Sequence, residues 1–171
     1  MVPSVGDAGR RRCALGPFLP ALVLAALLAG AAFPMAPAAA ERCEDTVRDL
    51  NRRLSPRIDE VELVTILRTL SESRNRRLPE KFVTKREARK MGWNPGRDLW
   101  DAQGLRGRSI GGDRFENREG ILSGRGRKLR EADLDYKGGR RGAKRLVFSG
   151  DGGRWVTVDH YRTFVEVPAC R

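Results

Sequence analysis

Apolar residues recur at helical spacing in the first half of the chain. In 43–55 and again in 58–70 they come every three or four positions, which predicts two amphipathic helices. A third helix is predicted over 84–93, because Thr84 can cap its first turn and Glu87, three residues later, completes a capping box. The apolar positions of the first two helices are Val47, Leu50, Leu54, Ile58, Val61, Leu63, Val64, Ile66, Leu67 and Leu70.

The pattern changes to alternation in the last third of the chain. Apolar and polar residues alternate in 130–136, 144–149 and 154–167, and glycine-rich turns separate these segments, which is typical of antiparallel strands joined by hairpins. The last segment is predicted to be one long strand or a pair of strands. Glycine and arginine dominate the preceding stretch, 94–127, which predicts loop with short strands. Helices followed by strands predict an α+β fold, with N-terminal helices packed on a C-terminal antiparallel β-sheet.

The first forty residues have the pattern of a cleaved leader. Three arginines at positions 10–12 precede an apolar run over 21–33 that is too short to span a bilayer as a helix. Because an Ala-x-Ala site ends at Ala40, residues 1–40 are predicted to be a secretory signal peptide. The protein is then secreted and keeps no stable membrane association after cleavage. A membrane anchor on a basic protein is the alternative.

The charge of the mature chain is strongly positive. Removal of the leader leaves 131 residues with a net charge of +10, enough for one domain with a modest core. A small exported protein with this charge is expected to bind polyanions, whether nucleic acid, anionic lipid or acidic protein. We expect it to be a monomer.

The cysteines and the single histidine limit the chemistry. Cys43 and Cys170 lie near opposite ends of the mature chain, and in an exported protein such a pair is expected to form a disulfide, with two free thiols as the alternative. A zinc site would have to use His160 together with both cysteines. We therefore expect metal-free chemistry and no cofactor.

Carboxylates and cations are expected to meet on neighbouring strands. Alternation places Glu131, Asp133 and Asp135 on one face of 130–136, where like charges destabilise one another unless cations lie opposite. A hairpin would bring such cations across from them, namely Arg140, Arg141, Lys144 and Arg145. The alternative is a solvated polar face with surface ion pairs, which contribute little to stability.

His160 supplies a third type of group. Alternation through 154–167 puts it on the same face as Val158 and Arg162, in the same small sheet as the carboxylate strand. A lone histidine usually has no catalytic role. A carboxylate, an imidazole and several cations are, however, the parts needed to cleave a phosphodiester without a metal.

Four segments of the chain carry specific motifs in a fixed order. They are LPEKFVTKREARKMGW (78–93), RSIGGDRFENREGIL (108–122), READLDY (130–136) and DHYRTF (159–164). In order and spacing they resemble the barnase-like guanyl-specific microbial ribonucleases. The resemblance implies the microbial ribonuclease fold over 78–171, preceded by a helical N-terminal extension over 41–77.

The resemblance also implies catalytic roles. In that family the carboxylate of READ removes the proton of the RNA 2′-hydroxyl and the histidine of DHY protonates the leaving 5′-oxygen, so Glu131 is the expected base and His160 the expected acid. A 2′,3′-cyclic phosphate forms first, and the two roles reverse when water opens it. The expected stabilisers of phosphoryl charge are Lys85, Arg141 and Arg145, with Asp133 as structural support.

A preference for guanine follows from the same resemblance. Glu119, in NREG, would accept hydrogen bonds from N1–H and the N2 amine of guanine, a pair of donors that adenine cannot offer. Backbone amides around Asn117 and Arg118 would bind O6, the Asn117 side chain would fix the loop, and Tyr161 would stack on a base. Glu116 stands where barnase-type enzymes have serine and adds negative charge beside this pocket.

The sequence alone leaves two classes of function open. The first is a secreted endoribonuclease acting on single-stranded RNA, as a toxin or for phosphate scavenging, with an acidic barstar-like inhibitor protein as its expected partner. The second is a non-catalytic cationic protein that coats nucleic acid or membrane. This second function gives no reason for Glu131 and Asp133 to lie among arginines, because carboxylates weaken polyanion binding.

Overall fold

A computed structural model of the chain describes residues 40–118, 120–122 and 126–171, so the predicted signal peptide lies outside it except for its last residue. The three predicted helices are present as α1 (Cys43–Arg53), α2 (Glu60–Glu72) and α3 (Lys85–Lys90), and a 3₁₀ turn spans Leu99–Asp101. The strands are β1 (Phe82–Val83), β2 (Ser109–Arg114), β3 (Leu129–Asp133), β4 (Arg145–Ser149), β5 (Arg154–Thr157) and β6 (Val165–Glu166). No helix in the described part of the chain is long and apolar enough to cross a membrane.

The strands form one six-stranded sheet whose spatial order follows the chain, from β1 to β6. β1 runs parallel to β2, and every other neighbouring pair is antiparallel. The glycine-rich turns predicted at 137–142 and 150–153 join β3 to β4 and β4 to β5. The α+β fold predicted from the sequence, with helices preceding a largely antiparallel sheet, is therefore confirmed.

α1 and α2 share one core with the sheet. Burying one aliphatic side chain stabilises a fold by roughly 1.5–3 kcal/mol, so this core is the main source of stability. Its members from the helices are Val47, Leu50, Leu63, Ile66, Leu67 and Leu70, and its members from the sheet and its connections are Leu134, Leu146, Phe148, Val156 and Val167. The segment 41–77, predicted as an extension, thus packs directly against the strands.

A disulfide joins the two ends of the described chain. Cys43, the first residue of α1, is bonded to Cys170, and their Cα atoms are 4.9 Å apart. Backbone hydrogen bonds flank the disulfide, because Cys43 N–H donates to the Arg171 carbonyl and Arg171 N–H donates to the Glu41 carbonyl. The predicted disulfide is confirmed, and it ties α1 to the C-terminal segment.

The register of the strands decides which side chains lie on the face of the sheet opposite α1 and α2, which we call the uncovered face. Phe148 of β4 belongs to the helix-covered core, so the alternating residues Arg145 and Val147 lie on the opposite face. On β3, Glu131 pairs with Val147 and Asp133 pairs with Arg145. The two carboxylates of β3 therefore share the uncovered face with a buried arginine.

The predicted alternation of three carboxylates is wrong at its third member. β3 ends at Asp133, and Asp135 lies beyond it with φ +56°, a conformation that aspartate tolerates better than most residues. The Asp135 carboxylate accepts hydrogen bonds from Lys144 Nζ at 2.5 Å and from Asp59 N–H at 3.0 Å. Asp135 therefore connects the segment after β3 to the start of α2 and does not lie beside Glu131 and Asp133 on the uncovered face.

The capping box predicted at α3 is present. Thr84 Oγ1 accepts a hydrogen bond from Glu87 N–H at 3.2 Å, and Glu87 Oε2 accepts one from Thr84 N–H at 2.8 Å. We expect Thr84→Ala to lower the free energy of unfolding by about 1 kcal/mol in a urea titration, because the cap hydroxyl is lost. Thr84→Ser should stay close to wild type, and an unchanged midpoint for Thr84→Ala would contradict the assigned cap.

Candidate active site

A buried carboxylate lies at the centre of the uncovered face. Glu131 is only 6 % exposed. Its Oε1 accepts a hydrogen bond from Lys85 Nζ at 2.8 Å, and its Oε2 accepts one from the Tyr161 hydroxyl at 2.6 Å. Lys85 begins α3 and Tyr161 follows β5, so three distant segments of the chain meet at this carboxylate. A buried charge needs such partners, because desolvation would otherwise neutralise it.

These contacts decide the protonation state of Glu131. Burial raises the pKa of a carboxyl, but the hydrogen bonds from Lys85 and Tyr161, together with the positive charges of Lys85 and Arg145, outweigh burial and lower the pKa of Glu131. Glu131 is therefore ionised at neutral pH and able to take up a proton. Burial and the hydrogen bond to Glu131 raise the pKa of the Tyr161 hydroxyl, which stays protonated.

Asp133 holds two arginines beside Glu131. It is 2 % exposed and accepts two hydrogen bonds from Arg141, from Nε at 2.5 Å and from Nη2 at 2.7 Å. Arg145 Nε forms an ion pair with Asp133 Oδ1 at 2.9 Å without hydrogen-bond geometry. Arg145 Nη1 donates to two backbone carbonyls. The structure thus brings both predicted arginines, and the residue predicted to support them, into one cluster.

The strand position predicted for His160 is wrong. The segment 158–164 connects β5 to β6, so His160 does not share a strand face with Val158 and Arg162. His160 is exposed with φ +57°, and Tyr161 follows with φ +66°. Successive non-glycine residues in the left-handed region are uncommon, and strained residues of this kind cluster at functional sites. The His160 ring centroid lies 6.4 Å from that of Tyr161.

Asp159 gives the physical reason for this conformation. Its carboxylate accepts hydrogen bonds from the Thr163 hydroxyl at 2.6 Å, the Thr157 hydroxyl at 2.9 Å, and the N–H groups of Arg162 and Thr163 at 3.1 and 3.0 Å. Burial alone would raise the pKa of Asp159, but these bonds lower it to about 2. A side chain that satisfies nearby N–H groups competes with strand pairing, so the segment forms a compact loop that presents His160.

Asp113 is a further residue of the site that the sequence did not single out. The pairing of β2 with β3 shifts register between Gly111 and Asp113, and Gly112 there has φ +91°. The Asp113 carboxylate accepts a hydrogen bond from Lys85 N–H at 2.8 Å, at the start of α3. A carboxylate at a helix N-terminus is favourable, and this one anchors the residue that contacts Glu131. Two glycines before an aspartate were the available signal for the bulge.

Asn117 closes a loop that contains the described residues of the NREG segment, Asn117, Arg118 and Gly120. The Asn117 side chain donates to the Leu122 carbonyl at 2.7 Å and accepts from Leu122 N–H at 3.2 Å. Gly120 N–H donates to the Asn117 carbonyl at 2.9 Å. The predicted loop-fixing contact of Asn117 is therefore present. Glu119, predicted to contact the base, lies outside the described residues.

A group of three aromatic rings connects this loop with the carboxylate. The Phe115 ring centroid lies 5.3 Å from that of Tyr161 and 6.0 Å from that of Phe164. Tyr161 was predicted only as a stacking platform for a base. The hydrogen bond from its hydroxyl to Glu131 is a second feature of the site that the sequence does not indicate.

An open groove runs beside the loop. Arg118, near whose backbone O6 was predicted to bind, and Glu116, predicted to add negative charge beside the base pocket, both line it. Glu116 Oε1 lies 3.5 Å from Nε of Arg114, which lines the groove as well. The negative charge of Glu116 is thus partly balanced by its neighbour.

The cluster combines groups suited to acid–base chemistry on an anion. It holds an ionised carboxylate that can take a proton and three cations, Lys85, Arg141 and Arg145. The exposed imidazole of His160 adjoins Tyr161, whose hydroxyl donates to that carboxylate. Across residues 40–118, 120–122 and 126–171, no group of three or more His, Cys, Asp or Glu side chains is placed to hold a metal ion.

Comparison with known proteins places the chain in a family. A family model described as "ribonuclease" matches residues 68–168. Over 95 residues, 55 % of the chain, the protein is 46 % identical to a ribonuclease of Heyndrickxia coagulans, and the alignment covers 86 % of that relative. Ribonucleases of Bacillus intermedius and Bacillus pumilus are also 46 % identical over 95 residues, with 58 % of each covered. The chain belongs to the barnase-like microbial ribonuclease family.

Proposed function

We propose that this ribonuclease is a secreted endoribonuclease that cleaves single-stranded RNA 3′ to guanine, through a 2′,3′-cyclic phosphate and by metal-free general acid–base catalysis. One observation carries the proposal, namely that Glu131 is buried yet kept ionised by Lys85 and Tyr161. A surface that only bound RNA would gain nothing from a carboxylate among its cations, because the carboxylate weakens polyanion binding.

In the first step of the proposed mechanism, Glu131 removes the proton of the 2′-hydroxyl and the oxygen attacks the adjacent phosphorus. The bond from phosphorus to the 5′-oxygen breaks, and His160 donates a proton to that oxygen. In the second step His160 takes a proton from water, which attacks the cyclic ester, and Glu131 returns its proton to the 2′-oxygen. The two residues must hold opposite protonation states, so activity is bell-shaped in pH.

The three cations stabilise the charge that builds on the phosphoryl oxygens, which is commonly the largest contribution to catalysis. Arg141 is oriented by Asp133, and Arg145 by two backbone carbonyls, before any RNA binds. Lys85 is paired with Glu131 in the free protein. When Glu131 takes up the proton it loses its charge, and Lys85 becomes available to the phosphoryl group at the moment that charge develops there.

Removing the Tyr161 hydroxyl tests how Glu131 is kept ionised. Tyr161→Phe deletes a hydrogen bond that favours the carboxylate, so the pKa of Glu131 rises and the acidic limb of the pH profile of kcat/KM moves to higher pH. Phe164→Leu changes the ring next to Tyr161 and removes neither hydrogen-bond partner of Glu131, so it should leave the limb in place. An acidic limb that stays put or moves to lower pH in Tyr161→Phe would contradict this assignment.

Guanine preference is proposed to arise in the NREG loop. Asn117 holds the loop closed through both polar atoms of its side chain, which leaves nearby backbone amides available to O6 of the base. Glu119 is proposed to accept the N1–H and N2 donors, with Arg118 and Glu116 on the groove beside it. The ring of Phe115, two residues before Asn117, lies 5.3 Å from that of Tyr161, which donates to Glu131, so the loop and the catalytic carboxylate are neighbours.

Export, a monomeric state and an inhibitor belong to the same proposal. The disulfide between Cys43 and Cys170 supports export, because disulfides persist in oxidising compartments. A net charge of +12 for the whole chain favours an acidic partner. An RNA-cutting enzyme endangers the cell that makes it, so we propose an acidic barstar-like cytoplasmic inhibitor, and toxin action or phosphate scavenging as the role outside.

Cleavage of oligoribonucleotides that each contain one test base, in excess chelator, tests the proposed function. We expect cleavage 3′ to guanosine, slower cleavage 3′ to inosine because it lacks the N2 amine, and little 3′ to adenosine. Cleavage that ignores the base would contradict the guanine preference. Cleavage that appears only after a divalent cation is added would contradict the metal-free mechanism.

A further inference from the structure

Exposed cations continue from the groove beside the NREG loop to the end of α2. Lys128 and Arg130 line that groove and also line a second depression, which they share with Arg76. Arg76 in turn lines a third depression with Arg74 and Arg77. Because each depression shares a residue with the next, the cations form one continuous surface. We call these five exposed residues the arginine strip: Arg74, Arg76, Arg77, Lys128 and Arg130.

The charges of the strip are not neutralised by the described residues around them. Neighbouring cations are paired, since Arg114 lies 3.5 Å from Glu116 and Arg127 lies 3.0 Å from Asp151. In the described parts of the chain, no side chain of the strip forms an ion pair or a hydrogen bond. Glu72 is the one carboxylate lining its second and third depressions. The strip is therefore a concentrated positive surface open to an anionic partner.

Stabilisation of the helix end does not account for these arginines. Cations at a helix C-terminus are favourable when they reach its free carbonyls. At the end of α2, however, backbone N–H groups already occupy carbonyls, with Ser73 N–H donating to Thr69 and Asn75 N–H donating to Leu70. The guanidinium groups of Arg74, Arg76 and Arg77 are therefore available to bind another molecule.

Asn75 holds the backbone of the strip in a fixed position. It is 4 % exposed with φ +57°. Its amide nitrogen donates to the Ser149 carbonyl at 2.9 Å, and its amide oxygen accepts from Arg154 Nε at 2.9 Å. Arg74 and Arg76, on either side of Asn75, are thereby carried on a segment anchored to the sheet. A preorganised surface loses less entropy on binding than a flexible tail.

The position of the strip relative to the catalytic cluster indicates which end of a bound RNA strand would lie on the strip. Arg130 pairs with Phe148 on the helix-covered side of β3, opposite to Glu131. The NREG loop adjoins both, since its groove is where the strip begins, and the ring of Phe115 beside the loop lies 5.3 Å from that of Tyr161, which donates to Glu131. The proposed mechanism places guanine in the loop and Glu131 at the 2′-hydroxyl of the same nucleotide, next to the phosphate on its 3′ side. RNA that continues past the loop, away from Glu131, is then the 5′ portion.

We propose that the arginine strip binds the phosphates of single-stranded RNA on the 5′ side of the guanosine, so that the enzyme holds a longer strand than the dinucleotide it cuts. This inference rests on the proposed function for the direction of the strand. Cations in a row along a surface are the usual means of tracking a nucleic acid backbone without reading its sequence.

The test compares R74Q/R76Q/R77Q with the control R52Q/R53Q/R57Q, which removes the same charge from exposed positions on α1 and the turn after it. The probes are oligonucleotides with one 2′-deoxyguanosine, which cannot be cut there, extended with abasic linkers on either the 5′ or the 3′ side. Fluorescence anisotropy gives Kd over a series of salt concentrations. We expect the strip variant to weaken binding of the 5′-extended probe about tenfold at low salt and to reduce its salt slope by about 2, since each phosphate contact contributes roughly 0.7.

Three outcomes would overturn the proposal. The first is that the control variant weakens RNA binding as much as the strip variant does. The second is that the strip variant weakens binding of the 3′-extended probe as much as, or more than, that of the 5′-extended probe. The third is that RNA binding is unchanged while binding to phosphatidylglycerol vesicles is lost, which would assign the strip to a membrane. Turnover of the dinucleotide GpU by the wild-type protein, measured alongside, tests the proposed function separately. Its failure would refute the enzyme mechanism, whereas the binding comparison alone decides the strip.

Discussion

Glu131→Gln is expected to lower kcat/KM for RNA cleavage by about 10²–10⁴-fold while the protein stays folded, because an amide cannot take up the 2′-hydroxyl proton. The substitution keeps the size of the buried side chain. Its carbonyl oxygen can still accept from Lys85 Nζ, and its amide nitrogen can donate to the Tyr161 oxygen, which is able to accept as well as donate. The loss then reports the missing base rather than a rearranged site. The measurement is steady-state cleavage of an oligonucleotide with one guanosine.

Glu166→Gln is the matched control for this substitution. Glu166 is an exposed carboxylate on β6, and its removal changes the net charge by the same amount without touching the cluster. It should cleave at the wild-type rate. A folded Glu131→Gln protein with activity within tenfold of the Glu166→Gln control would exclude Glu131 as the base.

Removal of the disulfide is expected to lower the free energy of unfolding by about 4–5 kcal/mol, because the cross-link closes a very long loop in the unfolded chain. Cys43 and Cys170 are 127 residues apart in sequence, and both are buried in the core that α1 and α2 form with the sheet. A loss of this size is a large share of the stability of a small domain. Guanidinium unfolding of C43A/C170A beside the oxidised wild type measures it.

Reducing the wild-type protein distinguishes the contribution of the disulfide to the free energy of unfolding from that of side-chain packing lost in C43A/C170A. Wild-type protein unfolded in the presence of dithiothreitol should approach the stability of C43A/C170A, and the double variant itself should not respond to dithiothreitol. A double variant within about 1 kcal/mol of the oxidised wild type would show that the disulfide adds little beyond the noncovalent core.

The fold and the central carboxylate could be predicted from the sequence because their signals are periodic or local. The apolar spacing of α1 and α2 located both helices, and the capping box at Thr84 marked the start of α3. Alternation in READ put Glu131 and Asp133 on one face, as the register of β3 and β4 shows. Each of these depends only on neighbours in sequence, and in each case tertiary packing agreed with the local preference.

Both errors occurred where the hydrogen bonds of a single side chain end a regular pattern. Alternation continued through His160, but the hydrogen bonds of Asp159 close a loop there and break the strand. Asp135 left the carboxylate row for a different reason, because β3 ends at Asp133 and Asp135 accepts hydrogen bonds from Asp59 N–H, 76 residues away, and from Lys144. Periodicity does not register such contacts, because they depend on single side chains rather than on a repeat.

The contacts of Tyr161 and Asp113 could not be read from spacing at all. The Tyr161 hydroxyl donates a hydrogen bond to Glu131, 30 residues away in sequence, and the Asp113 carboxylate accepts one from the backbone of Lys85, 28 residues away. Both depend on the fold bringing loops together across the sheet. The family resemblance identifies the segments that contain Asp113 and Tyr161, but it does not predict these hydrogen bonds.

Phosphorus NMR of GpU cleavage by the wild-type protein, in excess chelator, tests the central claim most directly. If Glu131 and His160 act as base and acid on the 2′-hydroxyl and the 5′-oxygen, guanosine 2′,3′-cyclic phosphate must appear first and then convert to the 3′-phosphate. Direct appearance of the 3′-phosphate without the cyclic intermediate, or no reaction until a divalent cation is added, would contradict the account.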